Sequence, residues 1–272
     1  DGGADGPRVL FSSELAANGG VWDVATKLAG ARATFGAASA GARDGRVAEL
    51  RLPGGVATAS VGPMLATEIA TAQYFRFGTF RARVQFATCA PNEEIASAVF
   101  MYFHDGRDAN ANGIADTPEL DLHVLCGNPS FVVMTAWSDY AAQNGVETLR
   151  KLARAVDTAT GDVYDAFTPG DRTFTKTGRA PELADPGFPA ANTFYDVGID
   201  WQPTRVRFFI VRGGVEVTLW TMTDPAYVPQ VPLPLMFNLW HPETHWVPTT
   251  SAADYPARDG VFLVDRAEWT SP

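Results

Sequence analysis

Residues 205 to 220, RVRFFIVRGGVEVTLW, leave a chain few options. Apolar and polar residues alternate on either side of Gly213 and Gly214, a pattern of two strands joined by a tight hairpin turn. The same two-residue period recurs along the chain. FRFGTFRARVQF alternates aromatic or aliphatic residues with Arg and Gln, and ELDLHVL alternates cleanly. SAVFMYF is apolar on both faces, as a central strand would be, and FVVMTAW, YDVGIDW and VPLPLMFNLW add further strands. The 25 glycines and 19 prolines suit many turns, and 272 residues at 46% hydrophobic content can bury a large core.

One stretch reads two ways. VETLRKLARAV (Val146 to Val156) has apolar residues at helical spacing, yet a strand pair broken near Thr160-Gly161 fits as well. From Thr168 to Asn192 prolines and glycines recur with little periodicity, which predicts a long loop. Without an internal repeat or a convincing domain linker, residues 9–272 are expected to form one all-β sandwich. The opening DGGADGPR, residues 1–8, is expected to be a flexible linker trimmed from a larger or processed product.

A net charge of −10 argues against nucleic acid and strongly anionic polymers and favours a neutral ligand. No apolar run approaches the length of a membrane span. Cys89 and Cys126 each follow an apolar strand-like run and could meet at one end of a sheet, but sequence leaves open whether they bridge.

The chemistry concentrates in DANANGIADTPELDLH, residues 108 to 123. Asp108, Asn110, Asn112, Gly113 and Glu119 fit a twelve-residue calcium loop. The flanking helices of an EF-hand are missing, however, because MYF precedes the loop and Pro118 opens a strand pattern. The shorter Asp-x-Asn-x-Asn-Gly-x-x-Asp form ends on Asp116 and releases Glu119. A structural calcium on Asp108, Asn110, Asn112 and Asp116 is therefore expected, the plainer option being a solvated turn. In the strand that follows, Glu119, Asp121 and His123 share one face while Leu120, Leu122 and Val124 share the other.

Five segments, in this order, resemble the family 16 glycoside hydrolases, the β-glucanase and laminarinase group. They are TEIATAQYFRFGTFRARV, ELDLH, YDVGIDWQPTRVRFFI, PLPLMFNLW and FLVDRAEW. The resemblance implies a concanavalin-like jelly roll of two antiparallel sheets with a sugar-binding cleft along the concave one. It also implies Glu119 as nucleophile and Asp121 as its support. The family's acid/base Glu falls at His123, or at Val124 in a bulged variant, and neither is a carboxylic acid. Two carboxylates on its own face are expected to keep His123 protonated, so that imidazolium could donate to a leaving oxygen. The plainer role is a hydrogen bond to a sugar hydroxyl or to Asp121.

Trp137, Trp240 and Trp246 are candidates to stack on sugars, and His241 and His245, within the HPETH run between the last two, are candidate substrate contacts. Trp22 and Trp201 are assigned to packing. His241 and His245 have a metal pair's spacing, but Pro242 opposes the aligning helix, so zinc or copper with His123 is disfavoured. These expectations converge on a secreted or cell-surface, monomeric, retaining hydrolase of a neutral β-linked polysaccharide. The alternative is a carbohydrate-binding protein that kept the cleft and lost turnover.

Overall fold

The computed structural model describes residues 7–56, 67–143, 146–166 and 173–272, with the backbone alone for strand residues within 141–149. Its described residues are strand and turn throughout, apart from a 3-10 turn at Pro181–Leu183. One sheet has the lateral order β15 (Val215–Met222), β14 (Arg205–Arg212), β13 (Tyr195–Gln202), β6 (Gly78–Gln85), β19 (Gly260–Thr270), β4 (Arg46–Leu52), β3 (Arg32–Ala38). β1 (Val9–Ser13) pairs with the later half of β19. The larger sheet runs β12 (Thr175–Arg179), β11 (Asp162–Ala166), β10 (Val146–Asp157), β9 (Phe131–Gln143), β8 (Asp116–Leu125), β7 (Ala96–Tyr102), β16 (Leu233–Trp240), β5 (Thr67–Phe75), β2 (Trp22–Thr26). Every pairing in the two sheets is antiparallel. A short pair, β17 (Thr244–His245) with β18 (Ser251–Ala252), stands apart.

The hairpin at 205–220 forms as its sequence requires. Gly213 and Gly214 have φ of +56° and +83°, and Arg212 pairs with Val215 to close the turn. Both central residues occupy the left-handed region that only glycine enters without penalty. The ambiguous Val146–Val156 stretch is strand β10, paired with β9 on one side and β11 on the other. Tertiary pairing overrides its helical spacing: Val156 enters the inter-sheet core while Ala153 and Ala155 face outward. The expected loop from Thr168 to Asn192 contains β12, a strand with all five residues exposed, whose polarity hid it. Its first part lies outside the described residues. So do residues 1–6 of the expected linker, while the Arg8 amide donates to Ser271 Oγ.

One core fills the space between the sheets, and Phe237 is its bolt. From β16 this fully buried ring meets Phe80 and Phe262 of the opposite sheet at 5.7 and 6.3 Å, and Trp22 of β2 at 5.8 Å. Trp22 and Trp201 pack as expected, Trp201 donating its indole N–H to the Pro229 carbonyl at 3.0 Å. Cys89 and Cys126 are bridged, tying the chain after β6 to the end of β8 across 37 residues.

Truncating Phe237 to Ala should cost about 3–5 kcal/mol in urea unfolding, whereas Val215→Thr, at a site 65% exposed, should change little. Replacing both cysteines by serine should cost about 2–4 kcal/mol, because the unfolded chain regains the loop freedom that the bridge removes. An unchanged denaturation midpoint for the double variant would mean the bridge does not restrain the unfolded chain.

Candidate active site

β8 builds the site by alternation. Leu120, Leu122 and Val124 are buried in the inter-sheet core, which turns Glu119, Asp121 and His123 to the outer face of the larger sheet. Strand pairing then fixes their neighbours. Tyr102 and Trp137 lie opposite Glu119, Phe100 and Thr135 opposite Asp121, and Ala98 and Val133 opposite His123. Glu119 is half-buried, whereas Asp121 and His123 are almost wholly covered.

Asp121 crowds Glu119 from the same face of β8. Burial first, then the Asp121 charge and a hydrogen bond between the two, push the Glu119 carboxyl well above the usual carboxylate range. Asp121 Oδ2 accepts from Thr135 Oγ1, and Asp121 Oδ1 is buried without a hydrogen-bond partner.

The expected charge on His123 is reversed. Burial lowers its proton affinity and outweighs the opposing pull of Asp121, and Lys151 adds to the lowering. Its Nδ1 is buried without a partner, and its ring meets Trp246 edge-on at 5.2 Å. A neutral imidazole cannot serve as the imidazolium donor that the sequence suggested. It can exchange a hydrogen bond with a hydroxyl.

Trp137 lies beside Glu119 with the Lys151 ammonium 4.9 Å from its ring centre. Trp240 and Trp246 pack together at 5.6 Å, both partly exposed beside the buried Val133, Ala153 and Ala155. Both histidines of HPETH bond to Glu94. His241 is buried, donates from Nδ1 to the Glu94 carbonyl at 2.8 Å and packs on Tyr255. His245 Nδ1 lies 2.6 Å from the carboxylate of Glu94, which also accepts the Gly127 amide. Burial raises the Glu94 proton affinity against both partners. This buried clamp holds the loop that lays Trp246 on His123.

The calcium-loop residues form a compact acidic turn. Asp108 accepts the amides of Asn112 and Gly113. Asn110 and Asn112 donate to Asp139, a buried residue of β9, and Asn110 also donates to Asp116. Burial raises the Asp116 proton affinity against the Ala109 amide, and the Asp139 and Asp108 charges add to it. Hard oxygen donors of this kind suit calcium in type, and Asp139 is a donor the motif did not include.

Sequence reasoning also passed over Glu68, Tyr102, Thr135 and Glu94. Alternation in TEIATAQYF sets Glu68 on the face opposite Ile69, so its placement was readable, though no motif marked it. Glu94 carried no local signal, because its partner lies 151 residues away.

No protein-family model matches the chain, and no curated protein does. Solved structures do. The Bacillus licheniformis β-glucanase is similar over 97% of this chain and 99% of its own, with a TM-score of 0.54 and 16% identity. The κ-carrageenase of Pseudoalteromonas carrageenovora, in complex with an oligotetrasaccharide of κ-carrageenan, covers 97% and 95% with a TM-score of 0.61 and 13% identity. A lichenase from a mouse hindgut metagenome covers 95% and 97% with a TM-score of 0.53 and 15% identity. Likeness at such identity is likeness of fold: the chain is an antiparallel jelly roll of the kind these glucanases and the carrageenase adopt.

Proposed function

We propose that this protein is a retaining glycoside hydrolase of family 16 type acting on a neutral β-linked polysaccharide. The observation that carries the proposal is the row of Glu119, Asp121 and His123 on the outer face of this fold, with Trp137 beside Glu119. A protein that only held sugar would gain nothing from two carboxylates crowded at a cost to stability. In the proposed reaction Glu119 attacks the anomeric carbon, Asp121 supports it by a hydrogen bond, and His123 contacts a hydroxyl as a neutral ring. The net charge of −10 favours an uncharged polymer, and the disulfide suits a secreted or cell-surface protein. We take the working form to be a monomer.

Incubation with a panel of neutral β-glucans should release new reducing ends, and Glu119→Gln should slow that release at least about a thousandfold. Binding without reducing ends would instead identify a carbohydrate-binding protein. The same variant carries a stability signature. Because the folded-state proton affinity of Glu119 is raised, the fold is most favoured below the ordinary carboxylate pKa of about 4.3 and loses stability as pH rises through the folded value. Glu119→Gln escapes that loss. Its Tm should exceed that of the wild type at pH 7–8, and the two should converge near pH 4. A difference that stays constant with pH would rule out the raised proton affinity of Glu119.

For the acidic turn we propose a structural calcium held by Asp108, Asn110, Asn112 and Asp116, with Asp139 as a further ligand. Calcium should raise Tm, since a ligand of the native state stabilises it, and Asp108→Ala with Asp116→Ala should abolish the rise. A chelator that leaves the wild-type melting curve unchanged would remove the metal from this account.

A further inference from the structure

Two polar atoms on the outer face of the larger sheet lack the partners that a folded interior normally supplies. His123 Nδ1 and Asn238 Oδ1 are both buried without a hydrogen bond, on side chains only 7% and 5% exposed. Strand register sets them in one row: His123 lies opposite Ala98, Ala98 opposite Asn238, and Asn238 opposite Glu68. Val99, Leu122 and Phe237 turn into the core between the sheets, so this row faces outward. On one side Asn238 donates its amide N–H to the Glu68 carboxylate. The nitrogen and oxygen of an amide sit on opposite arms, which turns Oδ1 the other way, toward Ala98 and His123.

Two strand spacings, about 9.6 Å, separate the backbones of His123 and Asn238, and the residue between them in the row is the small Ala98. Phe100 and Met236 join Ala98 in an apolar floor. A floor of this kind with a polar group at either end matches a sugar ring, which carries C–H groups on its faces and hydroxyls around its edge.

We propose that His123 and Asn238 read two free hydroxyls of one sugar ring seated over Ala98, which makes Asn238 a specificity-determining residue. The inference rests on the reading above that a neutral polysaccharide lies on this face, and it names a residue that selects the polymer. Asn238 Oδ1 can only accept, so the sugar oxygen that meets it must carry a hydrogen. An O-methyl or O-sulfo group at that oxygen sets lone pair against lone pair and is rejected. His123 Nδ1 exchanges its hydrogen bond with a second hydroxyl. Trp246 covers the His123 ring edge-on at 5.2 Å, so a ring that reaches Nδ1 shifts this partly exposed indole.

The test measures binding by calorimetry in the Glu119→Gln background, where turnover is slow. The ligands are a panel of neutral β-glucan tetrasaccharides and, for the tightest of them, analogues that each lack one hydroxyl. Two analogues should bind at least about tenfold more weakly than the parent. Asn238→Ala should erase one of these penalties and His123→Phe the other, whereas a purely structural role would weaken parent and analogues alike. Ala98→Ser places a hydroxyl between the two atoms. It should raise Tm by donating to Asn238 Oδ1, and weaken the parent at least about tenfold. If Ala98→Ser raises Tm and leaves binding unchanged, the row holds a structural water and the inference falls. It falls too if both penalties persist in Asn238→Ala, and reducing ends released by wild type would then leave the glycosidase reading standing. Both penalties without reducing ends would keep the inference and remove the glycosidase reading. A panel in which no tetrasaccharide binds overturns both.

Discussion

The packing of Leu120, Leu122 and Val124 against the opposing sheet is the constraint from which the site follows. Each is buried in the core between the sheets, so β8 cannot slip by one residue without exposing all three. The same lock keeps Glu119, Asp121 and His123 on the outer face. The apolar half of the strand thus supplies the free energy that holds two carboxylates at hydrogen-bonding distance, an arrangement their mutual repulsion opposes. Phe237, on the second strand over, anchors the same sheet to its partner through Phe80 and Phe262.

The orphaned polar atoms of the outer face fit this division of labour. Asp121 Oδ1, His123 Nδ1 and Asn238 Oδ1 are all buried without a protein partner. Leaving such groups unpaired costs about 1–3 kcal/mol each, and a fold tolerates that most readily where another molecule is to be bound. His123 and Asn238 face each other across Ala98, whose small side chain leaves room between them.

Much of this was legible in residue order. The alternation of ELDLHVL specified which side chains face out, and Gly213–Gly214 specified the hairpin, because both effects are local. The strand β10 was ambiguous, since its apolar residues satisfy two periods and only pairing with β9 decides between them. β12 was missed because TKTGR is exposed along its whole length, so nothing but its hydrogen bonds to β11 marks it as a strand. The charge state of His123 was read the wrong way, because sequence displays nearby carboxylates but not the burial that outweighs them. Glu68 and the Glu94–His245 clamp depend on strand order across the sheet and on a contact between distant segments. No local pattern encodes either.

β12 also bears on how copies of this protein meet. It is the lateral boundary of the nine-stranded sheet, and a boundary strand offers unpaired amides to any extended neighbour. This one is five residues long and carries Lys176, bonded back to Asp162, and Arg179 near the same carboxylate. Its pairing with β11 shifts register between Val163 and Tyr164, which adds local twist. A second sheet approaching edge-to-edge would meet positive charge on a short, twisted margin. Pairing between copies along this margin is therefore disfavoured.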